Sequence, residues 1–292
     1  YNIGVAYVYL QQFSKAEEYY KKAFKLNPHD SILQENYAIL LLATQRYEEA
    51  WKLFDGRLKL EKFKIKNSHF HNIRDKLWQG DKINKNNKIL VIKEQGVGDE
   101  ILYGSMYSDL IKKYKNLQIE SDSRLISLFN RSFKVKDKFV PYSKYSKNKK
   151  NLKHFDTIIY AASLGRMFRN KISDFPQKKF LIADEKKSKK LKKILDLISS
   201  KFKIGIAWKS RNDTVTIGPA KSINLNLLLP VLKLEKFTFI NLQFGDTEKE
   251  IDEFYKTSRI KIHSLDSVDL YDDFESTSAL LKNLDLFITV SN

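Results

Sequence analysis

The chain has no cysteine, which removes disulfides and thiolate metal sites together. It also lacks any apolar run approaching the roughly 18–20 residues that a membrane-spanning helix needs, and its mean hydropathy is −0.46. A soluble chain with no transmembrane segment is the expectation. Arginine is scarce beside lysine although the formal charge is +18. Clustered arginine with interleaved aromatics, the footprint of nucleic-acid binding, is missing. The lysine is spread through linkers and exposed helix faces and accompanies Asn and Ile throughout, so no nucleic acid is expected as a partner. The five histidines (29, 69, 71, 154, 263) show no metal-ligand spacing with carboxylates, and no Ser–His–Asp arrangement is visible. There is no charged n-region followed by a cleavage site, which together with the missing cysteine makes a cytoplasmic location the expectation. The chain opens at Tyr1 inside a helical pattern and reads as a fragment of something longer. What is present is a 42% hydrophobic and 13% aromatic composition over 292 residues, enough for packed cores and about two domains.

The first stretch repeats itself. Adding 34 residues to Phe13, Ala16 and Tyr20 reaches Tyr47, Ala50 and Phe54, the period of tetratricopeptide helical hairpins. Gly4, Tyr7, Ala16, Tyr20, Ala23 and Pro28 stand in that repeat's spacing. Gly4 and Ala16 are small where paired helices must approach, and Pro28 ends the second helix after Asn27. The second repeat departs at Arg57, where the pattern prefers Ala, which predicts a last, capping repeat with a polar outer side. Residues 1–60 are therefore read as partial repeats, and 61–87 as a polar linker that ends by docking Trp78, in "LWQGD", on the next domain.

From Lys88 onward short β-branched runs alternate with helical segments. "KILVIK", "LQIES", "KFVPYS" and "FDTIIYAASL" are the first four strands, with helices over 100–114 and 123–130. A lysine-rich helix over 186–201 precedes a second series, "FKIGIAW", "FTFINLQ", "RIKIHSL" and "DLFITVS". Within that series "INLNLLLPVLKL" is read as a helix with an internal proline. Such alternation predicts parallel sheets flanked by helices, here as two Rossmann-like lobes, 88–183 and 184–292, the second incomplete. The fold class expected is α/β with an N-terminal all-α repeat. Ligands of open α/β sheets sit beyond the carboxyl ends of the strands, which directs attention to 94–99, 163–166, 209–222 and 243–247.

The stretch "LWQGDKINKNNKILVIKEQGVGDEILYGSMYSDL", placed after tetratricopeptide repeats, resembles the bacterial repeat proteins that carry a heptosyltransferase-like glycosyltransferase domain. "FDTIIYAASLGRMF", "IGIAWKSRNDTVTIGPAKSINL" and "LYDDFESTSALLKNLDLFITVSN" resemble that family's later segments in the same order. The resemblance implies a GT-B architecture with the active site in the cleft between lobes. It implies inverting, metal-independent transfer of a sugar from a nucleotide-sugar donor to a hydroxyl acceptor, with no cofactor. Through the repeats it implies a protein partner, and the acceptor is a protein, peptide or glycan. Two departures stand out: the family's Asp-Thr pair reads Ser291-Asn292 here, and the following His is not reached. The alternative is a tetratricopeptide protein-binding module on a degenerate, non-catalytic transferase-like scaffold.

Within "EQGVGDE", Gly96 and Gly98 are expected to allow positive φ and close backbone approach at a strand-to-helix turn, with exposed amides for an anion. The pattern is neither a dinucleotide fingerprint nor a P-loop. By its residues Asp99 is either a helix N-cap, with Glu100 complementing the dipole, or a chemical group; the resemblance implies the general base toward the acceptor hydroxyl. Glu94 is read as structural. In "WKSRNDTVTIGPAKSINL", Lys209, Ser210, Arg211, Lys221 and Ser222 are the residue types that would stabilise charge growing on a diphosphate without a metal. Gln243 ends a strand where it could contact the donor nucleotide, and Ser291 lies at the family's donor segment. Asp273 is read as a helix cap.

Overall fold

The computed structural model describes residues 1–60, 73–142, 149–210 and 221–290. Two compact units emerge, Tyr1–Ile126 with Phe133–Phe180, and Ser127–Ser132 with Leu181–Asn292; each is described by itself.

The first unit opens with four helices, α1 (Asn2–Tyr9), α2 (Phe13–Leu26), α3 (Ser31–Ala43) and α4 (Tyr47–Phe54). α2 and α4 begin at positions related by the 34-residue period. The small residues do what their size predicts. A side chain on Gly4 would meet the Tyr20 ring at 2.6 Å and the Ala16 carbonyl at 3.2 Å, and Ala16 is fully buried. Their core is Ala16, Tyr20, Leu33, Tyr37, Leu40, Leu41 and Ala50. Asp30 caps α3 by accepting from the amides of Ile32 and Leu33. Glu17 on α2 accepts from Arg46 and from the Tyr37 hydroxyl, tying the second helix to the third and fourth.

The strands β1 (Ile89–Ile92), β2 (Leu117–Ser121), β3 (Phe139–Pro141) and β4 (Thr157–Tyr160) form a parallel sheet of order β3-β2-β1-β4. β1 and β4 are buried at every position, as expected when a parallel sheet is covered on both faces. The helical segment expected over 100–114 is two helices, Val97–Gly104 and Tyr107–Lys113. The break has a cause remote in sequence: the buried Arg169 donates to the Ser105 carbonyl at 2.6 Å and pairs with Asp109 at 2.8 Å. Trp78 docks beside β4, its amide donating to the Ile158 carbonyl at 2.9 Å.

The repeats run directly into this lobe. Leu58 is part of the cluster that also holds Leu77, Leu90, Ile92, Ile158 and Tyr160. Trp51 donates its indole N–H to the Arg169 carbonyl at 2.6 Å, and Tyr47 lies 4.8 Å from the Phe175 ring. Arg57 is 3% exposed. It is no polar outer rim: the departure from Ala at this position serves the junction.

In the second unit β5 (Phe202–Ala207), β6 (Phe237–Asn241), β7 (Ile262–His263) and β8 (Leu286–Thr289) form a parallel sheet of order β7-β6-β5-β8. With each sheet's strands numbered in chain order, the two share one arrangement, 3-2-1-4. Apolar clusters cover both faces, one around Ile204, Trp208, Phe239 and Phe254, the other around Leu191, Leu195, Ile240 and Leu280. The helix read with an internal proline is a short 3₁₀ turn, Leu225–Leu228, then a helix, Leu229–Leu232. Pro230 sits in its first turn, where a missing N–H costs no helical bond. Asp273 caps the helix Phe274–Lys282, accepting from the Ser276 amide at 2.8 Å.

Candidate functional site

β1 ends at Ile92 and the chain turns through Lys93–Gly96 into the helix Val97–Gly104. The positive φ lies at Gln95, at 64°, and not at the glycines as expected. Gly96 is the N-cap in extended backbone, with φ −88° and ψ 178°. A side chain on Gly98 would meet nothing within 4 Å. Gly98 therefore leaves the first helical turn bare rather than enabling a strained backbone. The left-handed Gln95 is held by its own side chain, which accepts from the Tyr103 hydroxyl at 3.1 Å. Burial, then the charges of Glu94 and Asp99, push that hydroxyl well above its ordinary range.

Asp99 is not the N-cap. It stands three residues into the motif, and its Oδ2 accepts from the Gly96 amide at 3.1 Å. Glycine has no side chain to return the bond, so this is half of a capping box. Among the described residues it is the only hydrogen bond Asp99 receives, and the carboxylate is partly exposed. Glu100, expected to face the helix dipole, is buried instead. It accepts from the Ser121 hydroxyl and from the Asp122 amide at 3.1 Å, with Lys93 at 3.5 Å. Burial pushes its carboxyl up against those three partners.

Glu94 is structural as read. It is 4% exposed, accepting from Arg57 and from the Ala162 amide at 2.7 Å. A cavity of about 670 Å³ lies at the other end of the sheet among Lys88, Lys115, Lys136, Lys138 and His154. Ligands of parallel sheets gather beyond the carboxyl ends, so the turn at 94–99 is the stronger candidate.

In the second unit Ser210 and Ser222 come together: the Ser210 amide donates to the Ser222 hydroxyl at 3.0 Å. With the Ile223 amide donating to the Trp208 carbonyl at 2.9 Å, they close the base of the loop whose residues 211–220 lie outside the described ones. Arg211 is among these, and Ser291 likewise lies outside the described residues. Lys221 is exposed at the loop's return. Lys209 is engaged with Glu250 at 2.6 Å. Gln243 is 2% exposed and turned inward. Its Oε1 accepts from the amides of Trp208 and Lys209 at 2.9 and 2.8 Å, and its Nε2 donates to the Phe244 carbonyl. It braces the exit of β5, a role no sequence signal disclosed. A cavity of about 260 Å³ opens at the carboxyl ends of β6 and β7, lined by Asn241, Gln243, Gly245, Thr247, Ser264 and Tyr271. Among the described residues no three His, Asp or Glu side chains are gathered as a metal site would need.

Comparison with known proteins adds three findings. The tetratricopeptide repeat model matches residues 1–30. Protein FlbA of Caulobacter vibrioides is 26% identical over 280 residues, covering 91% of this chain and 46% of that protein. The chain thus spans about half the length of this curated relative. The solved structure of E. coli ADP-heptose lps heptosyltransferase II is similar with a TM-score of 0.48 and 16% identity, over 70% of this chain and 79% of that one. The chain carries N-terminal tetratricopeptide repeats followed by parallel-sheet α/β lobes.

Proposed function

We propose that the chain is the glycosyltransferase portion of a repeat-bearing protein, moving a sugar from a nucleotide-sugar donor to a hydroxyl acceptor with inversion and without a metal ion. The observation that carries the reading is Asp99: a partly exposed carboxylate beyond the carboxyl end of β1, on a helical turn that Gly98 leaves bare. The half capping box occupies Oδ2 and aims the group. Asp99 takes the acceptor proton as that oxygen attacks the anomeric carbon, while the diphosphate leaves from the opposite face. The charge gathering on the diphosphate is met by Lys221, Arg211 and the hydroxyls of Ser210 and Ser222. Gly96 and Gly98 supply close backbone approach on the acceptor side. Gln243 holds the β5 exit that carries this loop, and Ser291 belongs to the donor segment. The repeats offer a surface to a protein or peptide, the acceptor itself or a partner that brings it.

Asp99→Asn in the full-length protein tests the base directly. Donor-dependent transfer should fall ~10²–10⁴-fold with nucleoside diphosphate binding kept. Unchanged transfer refutes the assignment, and absence of nucleoside diphosphate binding in calorimetry on the unaltered protein favours the scaffold alternative.

A further inference from the structure

A guanidinium has five N–H donors in a fixed fork, and in Arg57 all five are used. Nε donates to Glu94 Oε2 at 3.2 Å and Nη2 to Glu94 Oε1 at 2.9 Å. Nη2 also donates to the Ser163 hydroxyl at 3.0 Å. Nη1 donates to Asp55 Oδ1 at 2.8 Å and to the Phe54 carbonyl at 3.2 Å. The cation lies 4.3 Å from the centre of the Phe54 ring, and the Ser163 hydroxyl donates to Asp55 Oδ1 at 2.7 Å. One side chain from the end of the repeats therefore joins three places: its own turn, the exit of β1 at Glu94 and the exit of β4 at Ser163. Burial works against its charge, yet Glu94 and Asp55 together hold it above its ordinary range.

The consequence runs along six residues of chain, Glu94 to Asp99. Glu94 is fixed from both sides, by Arg57 and by the Ala162 amide. The next residue, Gln95, is the left-handed one. After it comes Gly96, whose amide holds Asp99. Tyr103 and Lys93 hold Gln95 from within the turn itself, and the start of the turn is set where Glu94 is held. We propose that Arg57 is a positioning residue for Asp99, so that the repeat segment sets the geometry of the acceptor-side turn. The proposal rests on the reading of Asp99 as base for its catalytic consequence, and on the contacts alone for its structural one.

Arg57→Lys in the full chain separates the two. An ammonium keeps the charge but cannot span Glu94, Ser163 and Asp55 as a planar fork does. The variant should keep its far-UV circular dichroism, while amide hydrogen exchange over 95–99 quickens about tenfold or more and that of 117–121 stays as it was. Transfer should show kcat lowered ~10–100-fold, as for a reacting group displaced by a fraction of an ångström to an ångström, with KM for the donor within about twofold. Glu48→Ala, which removes an exposed pair on α4, should change neither measurement. Exchange over 95–99 equal to that of the unaltered protein overturns the proposal, as does a rise spread evenly over 73–180. If Arg57→Lys does not fold, Ser163→Ala removes bonds and no charge, and it should raise exchange at 95–99 in smaller measure; no rise overturns the proposal. A chain that lacks transferase activity altogether defeats the functional reading while the exchange result still decides the positioning role.

Discussion

Substituting Gly165 by alanine probes the junction between repeats and lobe. Gly165 is buried and has ordinary helical backbone, φ −53° and ψ −43°, so no conformational demand requires glycine. Its need is spatial: an added side chain would meet the Trp51 ring at 2.5, 2.5 and 2.7 Å. The ring has little freedom to yield, because its N–H is bonded to the Arg169 carbonyl and Phe54 stands edge-on at 5.4 Å. Overpacking a site of this kind costs about 1–3 kcal/mol. Alanine in place of glycine within a helix returns roughly 0.5–1 kcal/mol. A net loss of about 1–2 kcal/mol is expected once these two effects are set against each other. In a Trp51→Ala background the obstacle is gone and only the helical gain remains, so the same substitution should become stabilising by about 0.5–1 kcal/mol. The two sites should therefore be coupled by about 2 kcal/mol. Urea unfolding followed by far-UV circular dichroism, on the unaltered protein, both single variants and the double, measures this cycle. A cost for Gly165→Ala that agrees in the two backgrounds to within about 0.5 kcal/mol would refute the reasoning.

Two further outcomes follow from bonds described above. Burial alone would raise the Glu17 carboxyl, but Arg46 and Lys21 outweigh it and bring it down to about 2 from 4.5. The stabilisation is present above the unfolded value and fades as pH falls from about 4.5 toward 2. After discounting for solvent screening, Glu17→Gln should cost about 1 kcal/mol near neutral pH. The gap from the unaltered protein should narrow as pH falls below about 4.5 and close at about pH 2 in urea titrations, and a gap independent of pH would deny the ion pairs this role. Gln243→Met keeps the volume but strands the amides of Trp208 and Lys209, each such loss costing about 1–3 kcal/mol; a thermal midpoint within a degree or so of the unaltered protein would show that water replaces the brace.

The strands were legible because buried parallel strands are short β-branched runs bounded by polar turns; all eight stand within the segments read for them. The tetratricopeptide pattern was equally plain, since small residues at Gly4 and Ala16 answer to a fixed helix spacing. What escaped was decided by side chains arriving from afar. The break at Ser105 depends on Arg169, and the inward turn of Gln243 on amides of another strand's exit. Arg57 could be seen as a departure from pattern, but its partner Glu94 lies beyond a linker and no local signal joins them. At the candidate site the glycines misled: the left-handed residue is Gln95, a choice that local composition does not encode and that Tyr103 makes tenable.

Trp51, Arg57 and Leu58, on α4 and the turn that follows it, are all engaged with lobe residues. The helical array is thereby joined to the lobe at its α4 end. Hairpins added or lost at the α1 side would change the length of the helical surface. They would leave the turn bearing Asp99 untouched, because that turn is tied to the α4 end through Arg57 and Glu94.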